Sequence, residues 1–417
     1  MPQLTDDCFA HGGGMMSIEA ALDLFRARVG AVDGTERVPL GLADGRVLAE
    51  AIRAAVALPA FANSAVDGYA VRHADIAPEG MTRLAVVDRL QAGDRALRPV
   101  GPGEAARIFT GAPMPPGADT VYMQEDTRAE GGAVLLPPGL KRGANSRPAG
   151  EEIEAGSPAL PAGRRLRPQD LALAAGVGQA EVVVRRRLRV AVFSTGNEVV
   201  EPGAARGPAQ VFDTNRLMLA GLLGRLGVQV TDLGILRDEP GPLAEALARA
   251  GAGHDLVLTT GGVSTGEADH VKDAVEAVGR LDVWRFAIKP GRPLALGTLG
   301  GAAFMGLPGN PVAVYVTFAY VVRGLVAALS GETWAPPVPV PVVSGFSYAK
   351  RTGRTEFVRV HLDARTDGAP VARKFEREGA GIISSLTEAA GLVVLGEEVA
   401  AVAPGEPLGF VPFAALG

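Results

Sequence analysis

Between Arg185 and Leu329, apolar runs of strand length alternate with stretches of helix length, and this pattern constrains the fold more than any other feature. Strand RVAVFST is followed by helix TNRLMLAGLLGRLG, strand VQVTDLGIL by helix PLAEALARAG, and strand DLVLTT by helix ADHVKDAVEAVG. Strand VWRFAI then precedes PLALGTL, AAFMGL and a long apolar helix. Alternation at this pitch predicts a parallel sheet covered by helices on both faces. The chain has 417 residues, too many for one compact core, so further domains must flank this unit.

The flanks follow different rules. A first helix is expected over Ser17–Arg28, with Ser17 as N-cap and Ile18, Ala21, Leu22 and Phe25 on one face. A second short helical stretch is expected over Leu42–Ala49. From Leu84 to Val183, short apolar runs broken by Pro and Gly predict small antiparallel β structure, closed by a short helix in RPQDLALAAGVG. The 55 glycines lack a G-X-Y period, which excludes collagen and points to many tight turns. The spacer TWAPPVPVPVV, with closely spaced prolines, cannot be helical. After it, short runs predict a small β-barrel or sandwich.

Several function classes are excluded early. The single cysteine, Cys8, rules out an internal disulfide or a thiolate metal site, and the five histidines show no HxxxH or HxH spacing. A net charge of -5 argues against a nucleic-acid binder. The acidic start MPQLTDDCFAHGGG is unlike a signal peptide, so reducing cytoplasm is expected. Val312–Leu329 is apolar enough to be tested as a membrane span. Arg323 interrupts it and a Pro-Gly-Asn-Pro turn introduces it, so a buried helix is expected instead.

Open parallel sheets bind ligands outside the carboxyl ends of their strands. Four segments fall there: STGNE (Ser194–Glu198), LRDEP (Leu236–Pro240), TTGGVSTGEAD (Thr259–Asp269) and IKPGRP (Ile288–Pro293). The third admits two readings, an oxyanion cradle or a tight turn capped by Ser264 or Thr265. Glu198, Asp213, Asp238, Glu267 and Asp269 would converge on one rim, where one or two carboxylates suit Mg²⁺ bound with substrate phosphates. Asp213 also reads as a helix N-cap, and Glu267 and Asp269 as first-turn acids favoured by the helix dipole. Arg285, Lys289 and Arg292 surround proline-stiffened backbone and suit an anion, or else form a solvated basic edge. In LPGNP, Asn310 is a candidate N-cap and Pro311 a first-turn residue. NSAVDGYA (Asn63–Ala70) and FTGAPMPPGAD (Phe109–Asp119) place polar groups in stiff loops and, taken singly, are readable as turns.

In order along the chain, NSAVDGYA, FTGAPMPPGAD, RPAGEEI, STGNE, DTN, TTGGVSTGEAD, IKPGRP, LPGNPVA and TEFVR, nine motifs in all, resemble the molybdopterin molybdenumtransferase family, whose members include MoeA proteins and the E domain of gephyrin. The resemblance runs from about Asp6 to the C-terminus. It implies an α/β multidomain chain: a central three-layer α/β/α domain like MogA and MoaB (186–332), and an elongated inserted β domain (51–145). It also implies a discontinuous helical and β dimerisation domain (1–50 and 146–185) and a C-terminal small β-barrel (333–417). It implies a homodimer, adenylylated molybdopterin and molybdate as substrates, Mg²⁺ as cofactor, and release of AMP. Partners would be the adenylyltransferase before it and cofactor-accepting enzymes after it, with neither nucleic acid nor membrane.

Residue by residue, the resemblance assigns Asp67 and Thr110 to the inserted domain's share of the site, and Glu152 to substrate binding. Glu198, Asp238 and Asp269 would hold Mg²⁺ or water around the pyrophosphate, and Ser264 would bind substrate. Lys289, Arg285 and Arg292 would bind molybdate and phosphate, and Pro308 and Pro311 would shape the floor. Arg354 and Ser384 or Ser385 would complete the molybdate pocket. Glu152 stands where the family often has Asp, and Arg285 and Arg292 where Lys is common, which keeps the charges but changes a point cation to a planar fork. Rival readings are a molybdopterin adenylyltransferase, a gephyrin-like scaffold, and tungstate in place of molybdate.

Overall fold

The computed structural model describes residues 4, 14–94, 98–262, 270–365 and 368–416. Its centre is a seven-stranded sheet. The strands are β1 (Arg189–Thr195), β2 (Gln229–Leu236), β3 (Leu256–Thr260), β4 (Gly279–Phe286), β5 (Pro293–Leu299) and β6 (Ala302–Leu307), with Met15–Met16 as the seventh. The order is Met15–Met16, β4, β5, β6, β3, β1, β2. All neighbours pair parallel except β5, which runs antiparallel to β4 and β6. The sheet is therefore mixed: Gly300 and Gly301 join β5 and β6 as a hairpin, where a parallel partner would need a longer crossover.

Alternation along β1 shows why this is a three-layer unit. Val190 and Val192 join one core with Leu219 and Leu223 of α1 (Asn215–Arg225) and with the long apolar helix α4, Pro311–Ser330. Ala191 and Phe193 join a second core with Leu243 and Leu247 of α2 (Pro240–Gly253) and Val271 and Val275 of α3 (His270–Val278). Successive side chains of a strand point to opposite faces, so both faces are buried. Helix α4 is 89% buried within the protein, although it is long and apolar enough to cross a membrane. Its Arg323 is held in two bonds by the Glu332 carboxylate, both at 2.8 Å.

The N-terminal segment supplies helix Ile18–Arg28, capped as expected by the Ser17 hydroxyl, which accepts from the Ala20 N–H at 3.1 Å. The expected helix over Leu42–Ala49 does not form. Leu40–Leu42 makes one 3₁₀ turn, Gly45 turns with φ +69°, and Val47 and Leu48 bridge to Arg165 and Val184. The small apolar group around Leu48, Leu166 and Val184 wins over local helix propensity. Thr35–Pro39 pairs with Glu181–Arg185, and Ile52–Arg53 with Pro158–Leu160, so distant segments share one body. Between them a six-stranded sheet holds Gly68–Val71 against Glu104–Ile108 and Thr120–Met123. It is antiparallel except where Thr82–Leu90 meets Glu104–Ile108 in parallel.

At the C-terminus, β7 (Val340–Ser344), β8 (Thr355–Asp363), β9 (Val371–Lys374), β10 (Gly391–Leu395) and β11 (Pro407–Pro412) close into a five-stranded barrel, because β8 pairs with both β9 and β10. The end of the proline-rich spacer is strand β7 itself. A two-residue strand, Ile288–Lys289, pairs with Thr355 and Glu356 and ties the barrel to the central unit.

Candidate active site

The carboxyl ends of the central strands form one rim. Thr195 of β1 lies opposite Leu236 of β2, so the loops carrying Glu198 and Asp238 are neighbours. Ser194 lies opposite Thr260, and Thr260 opposite Leu307, which brings Gly261 and Pro308 alongside. Arg285, Lys289 and Arg292 lie at the β4–β5 end. Five strand spacings, about 24 Å at 4.8 Å each, separate the β4 and β2 ends. The basic and acidic ends of the rim therefore stand well apart.

The polar interior of the rim is unusually short of partners. The hydroxyls of Ser194, Thr195 and Thr259, and Oδ1 of Asn215, are buried without a hydrogen bond among the described residues. Asn215 Nδ2 is tied to Thr260 Oγ1 at 2.9 Å and to the Gly309 carbonyl at 2.7 Å, which fixes the start of α1 beside the LPGNP turn. Asp238 Oδ1 is likewise buried and unpartnered. An unpartnered carboxylate oxygen is costly unless something else meets it, and a hard cation suits that donor. Asp238 thus fits a Mg²⁺ ligand. Among the described residues no three His, Cys, Asp or Glu side chains gather into a cation site. Asp269, Glu267 and Ser264 lie outside the described residues.

One expected rim acid is turned inward. Asp213 is buried and accepts from the Arg216 N–H at 3.2 Å and from its Nε at 2.8 Å, so it caps α1 and pairs inward. Arg216 also donates to Glu201 at 2.6 Å and to Asp232, bracing the Glu198 loop against β2. Glu198 itself is exposed, its carboxylate folded over Gly196. Glu152 is exposed. Asn310 occupies the N-cap of α4 but makes no side-chain cap bond, while Pro311 opens the helix and Pro308 is buried.

The basic end is organised around a buried carboxylate absent from the sequence reading. Glu356 accepts from Tyr348 Oη at 2.7 Å, Lys289 Nζ at 3.2 Å and Arg354 Nε at 2.8 Å. Burial pushes the Glu356 carboxyl up, but these three bonds outweigh it and hold it below the usual range. Burial lowers Lys289, yet its bonds to Glu356 and Tyr348 hold it above its ordinary value. Arg354 is spent on Glu356 and does not line the adjoining cleft. Arg359 does, with Lys289, Lys374, Arg377, Glu356 and Glu378, around about 140 Å³ of space. Its Nε donates to Ser385 Oγ at 3.1 Å and its Nη2 to the Gly379 carbonyl at 3.0 Å. Burial lowers the Arg359 pKa, and neither bonded partner is a carboxylate. Ser385 is fully buried, whereas Ser384 is half-buried at the start of a short helix. Arg359 stood in the TEFVR motif, and its alternation with Phe357 and His361 on a strand was the available signal. Arg285 and Arg292 are exposed beside this end, with Arg292 Nη2 3.6 Å from Met15 Sδ.

A second constellation lies in the inserted sheet. Asp67 Oδ1 accepts from both the N–H and the hydroxyl of Thr110, each at 2.8 Å. These bonds hold its carboxyl below the usual range, the backbone bond most strongly. Gly68 is required next to it, because a Cβ there would sit 1.7 Å from the Tyr122 carbonyl oxygen. Arg107 donates to the Gly68 carbonyl at 3.0 Å, and its guanidinium lies 4.7 Å from the Phe109 ring centroid, with Arg89 at the same distance. This cationic bracket was not anticipated from the sequence.

Residues 16–178 match the MoeA N-terminal region (domain I and II), 191–328 a probable molybdopterin binding domain, and 341–413 the MoeA C-terminal region (domain IV). The molybdopterin molybdenumtransferase of Haemophilus influenzae is 38% identical over 381 residues, covering 91% of this chain and 94% of that protein. That of a Nostoc species is 39% identical over 311 residues, covering 72% and 71%. The crystal structure of the molybdopterin biosynthesis MoeA protein from Pyrococcus horikoshii OT3 superposes with a TM-score of 0.79 at 28% identity, covering 96% of this chain and all of that one. Ordered motifs, three consecutive domain matches and near full-length similarity agree: this chain belongs to the molybdopterin molybdenumtransferase (MoeA) family.

Proposed function

We propose that the protein inserts molybdenum from molybdate into adenylylated molybdopterin, releasing AMP, as the last step of molybdenum cofactor biosynthesis. The observation that carries this reading is Arg359, a half-buried guanidinium whose bonded partners are a hydroxyl and a carbonyl, in a cleft with Lys289 and Lys374. A half-buried cation bonded to no carboxylate is stabilised when an anion arrives. A small oxyanion such as molybdate has the charge and size for that place. Arg285 and Arg292 then face the remaining phosphate charge.

The long rim suits an extended pterin–nucleotide substrate. Its unpartnered Asn215 Oδ1 and the Ser194, Thr195 and Thr259 hydroxyls would meet polar atoms of the pterin or nucleotide. Asp238, with Glu198 and Asp269, would hold Mg²⁺ at the phosphoanhydride, and the ion would neutralise charge as AMP leaves. Asp67, locked by Thr110, would orient substrate from the inserted domain, with Glu152 and Ser264 contributing contacts and Pro308 and Pro311 the floor. In a homodimer this constellation would face the partner's rim. The domains would divide at 1–50 with 146–185, 51–145, 186–332 and 333–417, and the enzyme would act in the cytoplasm between an adenylyltransferase and cofactor-accepting enzymes.

The test is AMP release from adenylylated molybdopterin with Mg²⁺, with and without molybdate. Molybdate-dependent release, lost in Asp238→Ala and Lys289→Ala, supports the reading. ATP-dependent adenylylation of molybdopterin would instead support an adenylyltransferase, and no release from a folded dimer would sink the proposal.

A further inference from the structure

Four of the five residues Arg185–Arg189 are arginines, placed where strand Glu181–Arg185 leads into β1. Arg185, Arg186 and Arg187 line a small cleft with Arg46, Arg165 and Gly227, and no acidic side chain among the described residues is part of its wall. The cleft lies at the amino ends of β1 and β2, the opposite end of the sheet from the rim. Seven residues of β1 put about 20 Å between the two.

Charge at this joint is unbalanced. Arg46 pairs with Glu36 at 2.9 Å, Arg165 with Glu332 at 2.7 Å and Arg186 with Asp255 at 2.7 Å. Among the described residues, that leaves Arg185 and Arg187 without a carboxylate. Arg185 Nε is buried with no hydrogen-bond partner, and Arg187 Nη1 donates to the Gly227 carbonyl at 3.0 Å. Gly227 turns with φ +69°, and a Cβ there would lie 3.8 Å from Arg187 Nη1 and 3.9 Å from Arg165 Nη1. Arg165 Nη1 is taken by the Gly45 and Leu226 carbonyls, at 2.7 and 2.6 Å, but its Nε, like that of Arg185, is buried without a hydrogen-bond partner among the described residues.

We propose that this cleft is a binding site for a small inorganic oxyanion of the phosphate or molybdate type, which fastens the joint between the N-terminal body and the central sheet. The enclosed space is about 20 Å³, enough for one oxygen atom. The anion inserts that oxygen toward Arg165 and Arg185 and keeps the others at the mouth, where exposed Arg187 meets them. Bidentate guanidinium contacts suit such an ion better than chloride.

The experiment is calorimetric titration of the full chain carrying Lys289→Ala, which weakens the oxyanion cleft at the rim, with sodium phosphate against sodium chloride at matched ionic strength. One saturable phosphate site per chain is expected, weakened at least tenfold by adding Arg187→Gln or Arg185→Gln. Arg187 is exposed, so that variant tests the site without loss of the fold, checked by circular dichroism. Replacing phosphate by molybdate identifies the occupant: either order of affinity supports the site. Absence of saturable phosphate binding, or binding unchanged by Arg187→Gln in the folded protein, overturns the proposal.

Discussion

Asp67 and Thr110 stand 43 residues apart, yet one carboxylate oxygen of Asp67 accepts both the N–H and the hydroxyl of Thr110. The backbone bond survives any side chain at position 110, whereas the hydroxyl bond does not. If this pair orients substrate, Thr110→Val should lower kcat/KM about tenfold and Asp67→Asn at least a hundredfold. The Asp67 carboxyl should titrate below the ordinary carboxylate range and move back toward it in Thr110→Val. Carboxyl chemical shifts followed against pH check this, and an unchanged titration would remove the hydroxyl from the argument.

The basic cleft beside Glu356 offers a sharper separation. Arg359 lines the cleft, and Arg354 only supports Glu356. Arg359→Lys loses the fork that reaches both Ser385 and Gly379, so KM for molybdate should rise at least tenfold while KM for the nucleotide substrate stays within twofold. Ser385→Ala should act in the same direction more weakly. Arg354→Lys should leave molybdate KM within about threefold. Equal effects of Arg354 and Arg359 variants would return the site to the arrangement expected from sequence.

The contrast between those arginines shows what sequence could and could not reveal. Strand–helix alternation carries enough information to place the central sheet, because burial on both faces leaves a hydrophobic run of fixed period. It does not reveal that β5 turns back, since a glycine hairpin and a short crossover look alike in pattern. The helix anticipated over Leu42–Ala49 failed because Leu48 is buried against Leu166 and Val184, contacts more than a hundred residues away. Asp213 looked like a rim ligand or a cap, and only the side chain of Arg216 decides between them. Glu356 was invisible as a hub because only the fold brings Lys289, 67 residues away, to the side chains of Tyr348 and Arg354 near it in the chain.

Arg216 gives a prediction about positioning. It is buried against Asp213 and bonds Glu201 and Asp232, tying the Glu198 loop to α1 and β2. Removing one partner of a buried charge cluster typically costs about 3–5 kcal/mol. Arg216→Ala should therefore destabilise by roughly that amount in urea unfolding. Arg216→Lys should recover part of the stability, and it should still raise the Mg²⁺ concentration needed for half-maximal activity. A normal Mg²⁺ requirement in folded Arg216→Lys would confine the residue to stability alone.

Glu332 makes the pH dependence of stability testable away from the site. Its carboxylate takes Arg323 in two bonds and Arg165 at 2.7 Å, linking α4 to the N-terminal body. Burial pushes its pKa up, but the bonds from Arg323 and Arg165 outweigh this and bring it from 4.5 to about 2. A carboxyl depressed on folding contributes stability that is fully present above its unfolded pKa and is lost as pH falls through its folded one. At 1.36 kcal/mol per unit, the contribution is roughly 3 kcal/mol, lost progressively between about pH 5 and pH 2. Glu332→Gln should lower stability at pH 7 by about this amount or more, since both arginines stay buried. It should also flatten the part of the acid profile that Glu332 controls. Urea midpoints at pH 7, 5 and 3.5 for both proteins check the sign, and parallel profiles would show that the bridge is not what acid breaks.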